Sequence, residues 1–215
     1  MRDINLTSRF FLREDESPDE NFYADPRFTK HIDDATIVNI TQYYREVLKP
    51  GDRLLDLMSS WISHLPNEVG YSHVSGLGMN EKELSRNPRL DDFQVQNLNT
   101  SPTLPYPDES FDAVMIVVSI QYLTQPMEVF SEINRVLSPG GRCIIAMSHR
   151  LFPTKAVYGF QVLPPSERCQ LVSEYMTESN PEIQTEFIDR SPPNADPLWL
   201  IVGAKPDPNT QKEIR

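Results

Sequence analysis

The chain has 215 residues, 39% of them hydrophobic, and its 20 Lys and Arg against 31 Asp and Glu give a net charge of −11 at neutral pH. A chain of this length buries roughly 70% of the surface it would expose when unfolded, so it can form a single domain, 1–215, without a disulfide or a metal. With a pI near 4.8 and no cluster of basic residues, counterion release has nothing to act on, and nucleic acid and anionic membrane are disfavoured as partners. No apolar run approaches the roughly 20 residues of a membrane span and residues 1–20 are too charged for a signal peptide, so a cytoplasmic setting is expected.

Residues 1–28 are polar, carry Pro18 and Pro26 and hold the aromatic pairs Phe10-Phe11 and Phe22-Tyr23; they read as an arm or lid with little regular structure. From Asp33, a plausible N-cap, Ile37, Ile40, Tyr44, Val47 and Leu48 share one helical face, and Pro50-Gly51 is a stop. Five short apolar runs follow, at 54–57, 74–77, 93–96, 111–118 and 143–147, separated by polar or helical segments. That alternation is the signature of an α/β fold, and runs rich in β-branched residues read as buried parallel strands.

Between those runs, 80–87 reads as a short helix, with Asn80 as N-cap and Glu83 completing a capping box. A second helix is expected over 126–137. Its Pro126 suits the first turn, Met127, Phe130, Ile133 and Leu137 form its stripe, and Ser138-Pro139-Gly140-Gly141 ends it before a strand starting at Arg142. Beyond Ser148 the chain reads as loop up to Pro164-Pro165. There Ser166 would cap a helix that buries Cys169, Val172 and Met176. The runs 183–188 and 198–204 read as an antiparallel pair closing one sheet edge, and 206–215 as a disordered tail. Cys143 and Cys169 fall on buried faces and read as core residues.

Several chemistries are absent by spacing. The chain has no His-Glu-x-x-His, Cys-x-x-Cys, Gly-x-Ser-x-Gly or P-loop motif, and His31, His64, His73 and His149 lack ligand spacing, so no metal site is expected. It also lacks Gly-x-Gly-x-x-Gly and Tyr-x-x-x-Lys, which argues against a nicotinamide-dependent oxidoreductase. The informative positions are those just after each strand, because an open α/β sheet binds ligands beyond the carboxyl ends of its strands.

The stretch Leu104-Pro105-Tyr106-Pro107-Asp108-Glu109-Ser110-Phe111-Asp112-Ala113-Val114, followed by Glu132-Ile133-Asn134-Arg135-Val136-Leu137-Ser138-Pro139-Gly140-Gly141, resembles the class I S-adenosylmethionine-dependent methyltransferases of the type 11 group. The resemblance runs from about Tyr44 to Lys205. It implies a three-layer, doubly wound fold around a mostly parallel seven-stranded sheet, with S-adenosyl-L-methionine as cofactor and a small molecule as acceptor.

Two departures stand at the cofactor half. Where the family has a glycine loop after its first strand, this chain reads Asp56-Leu57-Met58-Ser59-Ser60-Trp61, with no glycine between Gly51 and Gly70. It resembles a subgroup that carries this wording. Either Ser59, Ser60 and the loop amides meet a cofactor seated further out, or the site is spoiled. Where the family places a ribose-binding carboxylate after the second strand, Gly78-Met79-Asn80 stands instead; Asn80 or Glu81 could replace the carboxylate, or Asn80 could be only a helix cap. Asn97, with Leu98, is a suitable partner for adenine because an amide both donates and accepts. Ser119 and Gln121 follow the fourth strand, and Gln121 stands where the family often has histidine.

By the resemblance, Asp56, Met58, Ser59, Ser60, Gly78, Met79, Asn80, Asn97, Leu98, Ser119 and Gln121 frame the cofactor. Tyr23, His31, Tyr122, His149, Arg150 and Lys155 are candidates near the mouth, with the arm and the loop 151–163 as covers. Methyl transfer needs alignment first and a base only when the nucleophile arrives protonated, so no triad is expected. A rival reading is a non-catalytic protein on the same fold that binds a ligand or partner.

Overall fold

The computed structural model describes residues 8–208. Seven strands, β1 (Arg53–Leu57), β2 (His73–Gly78), β3 (Asp92–Val95), β4 (Phe111–Val117), β5 (Leu137–Met147), β6 (Gln184–Asp189) and β7 (Trp199–Ala204), form one sheet in the order β3-β2-β1-β4-β5-β7-β6. Every pairing from β3 to β5 is parallel, and β7 runs antiparallel to both of its neighbours. The helices are α1 (Asp19–Phe22), α2 (Asp34–Val47), α3 (Glu81–Leu84), α4 (Pro126–Val136), α5 (Tyr158–Val162) and α6 (Pro165–Ser179). Short 3-10 turns cover Ser8–Phe11 and Ile120–Tyr122.

Alternating strand residues feed two cores, as the period of two requires. On one face Leu54, Val74, Met115, Ile144 and Leu200 pack with α2; on the other Leu55, Leu57, Val114, Ile116, Cys143 and Ile145 pack with α4 and α6. Both free cysteines are buried in the second core, where desolvation pushes the Cys169 thiol up to about 11.

Several elements differ from the sequence expectation for local reasons. Asp33 does cap α2, accepting from the Thr36 amide at 2.9 Å. The buried face, however, is Thr36, Ile40, Tyr43 and Tyr44, with Ile37 and Val47 only half-buried. Thr36 turns inward because its hydroxyl donates to the Asp196 carbonyl, while Asp33 and Asp196 bond each other's backbone amides. Strand β5 begins at Leu137, not Arg142: Leu137 pairs with Phe111, and a register shift separates that bridge from the ladder that starts at Arg142. Helix α6 starts at Pro165, so Ser166 lies in its first turn and caps nothing. Helix α3 is one turn long, and its capping box is half made: Asn80 accepts from the Glu83 amide, but the Glu83 carboxylate bonds elsewhere. The stretch read as loop after Ser148 contains α5.

The stretch that carried the family resemblance turns out to be a clamp. Arg135 on α4 donates to the carbonyls of Leu104 and Tyr106 and pairs with Asp108 and Glu132, and Glu132 accepts from the Leu104 amide. These residues pin the loop 104–108 against α4 and so fix where β4 enters the sheet. Of the predicted tail only 206–208 is described, and residues 1–7 of the predicted arm lie outside the described residues.

Candidate functional site

A cavity of about 330 Å³ opens where the sheet order reverses between β1 and β4, the place a doubly wound sheet reserves for ligands. Its size falls within the range of small-molecule sites. Each parallel strand supplies wall residues just past its carboxyl end: Met58 to Ile62 after β1, Met79 and Asn80 after β2, Gln96 to Asn99 after β3, Val118 and Ser119 after β4, and Arg150 to Phe152 after β5. The remaining wall comes from the arm and the segment after it, including Arg13, Asp19, Tyr23, Arg27 and His31.

Without a glycine, the loop after β1 still makes a glycine-like turn. Met58 sits at φ 58°, a left-handed conformation that non-glycine residues adopt at a cost. The Ser59 amide donates to the Leu77 carbonyl at 2.8 Å, which lays the loop against the end of β2. Gly78 makes that approach possible: a Cβ there would stand 2.2 Å from the Ser59 carbonyl oxygen. The close backbone approach that the family obtains from a glycine within the loop is obtained here from a glycine on the neighbouring strand. Val118, a β-branched residue at φ 49° beside the cavity, is a second strained position.

The loop's polar groups form a relay. Asp56 is buried and accepts from the hydroxyls of Ser59 at 2.6 Å and Ser63 at 2.5 Å. Burial outweighs those two bonds and raises its carboxyl to about 6. Because the folded pKa lies above the unfolded one, the folded state binds the extra proton, and Asp56 costs stability as pH rises from about 4 to about 6. Asp56→Asn should therefore gain on the wild type by about 2 kcal/mol between pH 4 and pH 7. Chemical denaturation of both proteins across that range checks it, and a constant difference would show that Asp56 titrates normally.

Ser60 donates to Glu83 Oε2 at 2.5 Å, and Glu83 Oε1 accepts from the backbone amide of Arg27 at 2.6 Å. Glu83 thus places a carboxylate in the cavity wall five residues past β2. The sequence reading assigned it to the capping box and offered Glu81 instead, which is exposed and outside the cavity wall.

Asn80 and Asn97 line the cavity with their amides engaged. Asn80 Nδ2 donates to the carbonyls of Tyr23 and Ala24, and Asn97 Nδ2 donates to Glu20. Helix cap and wall residue are therefore both true of Asn80. Asp56, Met58, Ser59, Ser60, Gly78, Met79, Leu98 and Ser119 also line the cavity, and the Ser119 hydroxyl is buried without a hydrogen-bond partner.

Two expected wall residues are elsewhere. Gln121 turns away from the cavity, its amide donating to the carbonyls of Val118 and Arg150, because the 3-10 turn after β4 directs it under the strand end. His149 lies outside, 3.0 Å from Asp196. Tyr23, His31, Tyr122, Arg150 and Lys155 are in the wall. Lys155 is fully buried, and its ammonium is held by Asp15, Asp19 and the Ser17 carbonyl, so it serves the arm. Trp61 is a wall residue whose indole donates to the Thr29 carbonyl.

His64, absent from the candidate set, joins the wall with its Nδ1 buried and unpartnered, and desolvation lowers it to about 4. Burial also lowers His31. Both shifts favour the neutral imidazole. Among the described residues no group of three His, Cys, Asp or Glu could hold a metal ion, and no helix is long and apolar enough to cross a membrane.

Residues 60–145 match the family described as a methyltransferase domain. That match covers less than half of the chain. The match spans β2, β3 and β4, most of β5, and the Arg135 clamp. The ubiquinone/menaquinone biosynthesis C-methyltransferase UbiE of Teredinibacter turnerae is 25% identical over 132 residues, covering 54% of this chain and 53% of that protein. The chain thus spans about half the length of the curated relatives it matches.

Among solved structures, the [4+2]-cyclase SpnF superposes with a TM-score of 0.59 at 17% identity over 78% of this chain and 81% of that one. Phosphoethanolamine N-methyltransferase 2 of Haemonchus contortus, solved with S-adenosyl-L-methionine, gives 0.59 at 16% identity over 79% of this chain and 52% of that one. At these identities the likeness is one of fold, and it extends over more than three quarters of the chain.

Proposed function

We propose that the protein transfers the methyl group of S-adenosylmethionine to a small-molecule acceptor bound in the same cavity. The observation that carries this reading is the cavity at the switch point, whose loop after β1 lies so close to Gly78 that no Cβ fits between them. The Ser119 hydroxyl, in the same cavity wall, is buried without a hydrogen-bond partner among the described residues. When bound, the cofactor supplies an electrophilic methyl on a sulfonium, which leaves as a neutral thioether.

The chain's own contribution is alignment and exclusion of water. Asp56 and Glu83 hold the two serines of the loop, and the loop's backbone shapes the cofactor end. Tyr23, Tyr122, Phe152 and Trp61 wall the cavity with rings, and His31, whose pKa desolvation lowers, can accept a proton from an acceptor that arrives protonated.

Isothermal titration tests the reading. S-adenosylhomocysteine should bind with micromolar affinity, and the triple variant Asp56→Ala, Ser59→Ala, Ser60→Ala should weaken it by about tenfold or more, the loss expected when several hydrogen bonds to a loop are removed. Unchanged affinity in the triple variant would place the cofactor elsewhere. The absence of binding at millimolar ligand by folded protein would favour the second reading, a non-methylating ligand-binding protein on this fold. That reading draws on one observation: the arm already occupies the amides of Asn80 and Asn97.

A further inference from the structure

Five cationic side chains line the cavity: Arg13, Arg27, Lys30, Arg150 and Lys155. Four have carboxylate partners. Arg13 pairs with Asp19, Lys30 with Asp34, Arg150 with Asp196, and Lys155 with Asp15 and Asp19. Arg27 has no ion pair among the described residues. Its side chain makes one hydrogen bond, from Nη2 to the Phe22 carbonyl at 2.7 Å.

A shortage of acids does not explain this, since the chain has 31 Asp and Glu. The guanidinium is instead held by rings: its Cζ lies 4.4 Å from the Phe22 centroid, 5.5 Å from Phe152 and 5.8 Å from Tyr23. Such contacts fix the plane of the group and only partly offset its charge. The backbone of the same residue is anchored to Glu83 at 2.6 Å. Its charge acts on Tyr23, His31 and Tyr122 together, so it stands among the very side chains that wall the expected acceptor region.

A planar cation with its orientation set, and with its Nε and Nη1 donors and its charge unpaired among the described residues, is the fork that a carboxylate fits with two parallel bonds. We infer that Arg27 is the carboxylate-binding residue of this cavity. The inference rests on the proposed cofactor reading in one of its two forms. The carboxylate belongs either to the amino-acid end of S-adenosylmethionine or to an acid group on the acceptor. In both forms one monoanion neutralises the one unpaired cation in the wall. It also gives the arm a role in ligand binding, since Arg27 and its ring partner Phe22 both lie at the arm's end.

The test compares wild type and Arg27→Gln by isothermal titration with S-adenosylhomocysteine, with 5′-methylthioadenosine, which keeps the nucleoside thioether and lacks the amino acid, and with benzoate against benzamide. If the cofactor supplies the carboxylate, Arg27→Gln weakens S-adenosylhomocysteine by about 30-fold, the loss expected for a charge-assisted pair of bonds, and leaves 5′-methylthioadenosine within about twofold. If the acceptor supplies it, S-adenosylhomocysteine is unchanged, and the preference of the wild type for benzoate over benzamide disappears in the variant.

Equal weakening of both nucleosides would overturn the inference by making Arg27 a structural residue, and so would a variant that alters none of the four affinities. Failure of both nucleosides to bind the wild type sinks the cofactor reading alone, and the benzoate pair then decides Arg27 by itself. Thermal unfolding of Arg27→Gln accompanies the titrations to show that the variant is folded.

Discussion

Gly78→Ala is expected to damage the site more than any other single methyl added to the chain. The new Cβ would lie 2.2 Å from the Ser59 carbonyl oxygen and 3.2 Å from Leu84 Cδ2. The first contact is with backbone, and that backbone is tied, because the Ser59 amide donates to Leu77 one residue away from the substitution. Relief therefore requires the loop to lift off β2, which pulls Ser59 from Asp56 and Ser60 from Glu83. Overpacking of this kind costs about 1–3 kcal/mol of stability. Affinity for S-adenosylhomocysteine should fall by about tenfold or more, because the displaced backbone is the proposed cradle.

Denaturant unfolding reads the first effect and titration the second. Gly70→Ala is the control, since nothing lies within 4 Å of the Cβ it would add. An intact affinity in Gly78→Ala would mean that the loop after β1 does not touch the cofactor.

The parts of this architecture that the sequence made legible are those written in local pattern. Val114, Ile116 and Val117 announce a buried strand, Asp33 a helix start, and the segment 191–197 a reversal between two strands, and each is found close to where it was expected. The positions just past the strands led to the cavity for the same reason, since the rule depends on element order and not on contacts. The arm was read as a cover, but how it is held was not legible. It is fixed by bonds such as Asn99 to Asp19 and Asn97 to Glu20, between residues some 80 apart, and no periodicity encodes them.

Other features were hidden by competition between two rules. Glu83 fitted a capping box and was used by a loop serine and the arm instead. Gly78 read as a missing carboxylate, whereas its role is steric and visible only once Ser59 is seen against it. Gln121 was placed by strand-end position, but a three-residue turn was enough to swing it out of the wall.

Lys155 offers the sharpest test of how the arm is held. Its side chain is fully buried, with Nζ 3.1 Å from Asp15 Oδ2, 3.2 Å from Asp19 Oδ1 and 2.8 Å from the Ser17 carbonyl. Asp19, itself buried, also pairs with Arg13 and accepts from Asn99. Removing one member of such a network leaves charge buried without its partner, a loss of about 3–5 kcal/mol if the structure cannot yield.

Here it can yield, because the network joins a short peripheral segment to the domain, and local undocking caps the cost at the free energy of docking that segment. In Lys155→Met the global unfolding free energy is accordingly expected to fall by less than about 3 kcal/mol. Tryptic cleavage after Arg13 and Arg27, in contrast, should accelerate by about tenfold or more as the arm opens. Opening would also release Asn80 from Tyr23 and free Asn97 from Glu20, so binding of 5′-methylthioadenosine, whose contacts avoid Arg27, should not weaken in this variant. The full destabilisation without faster cleavage would make the arm part of the core, and the amides it covers would then be structural groups closed to any ligand.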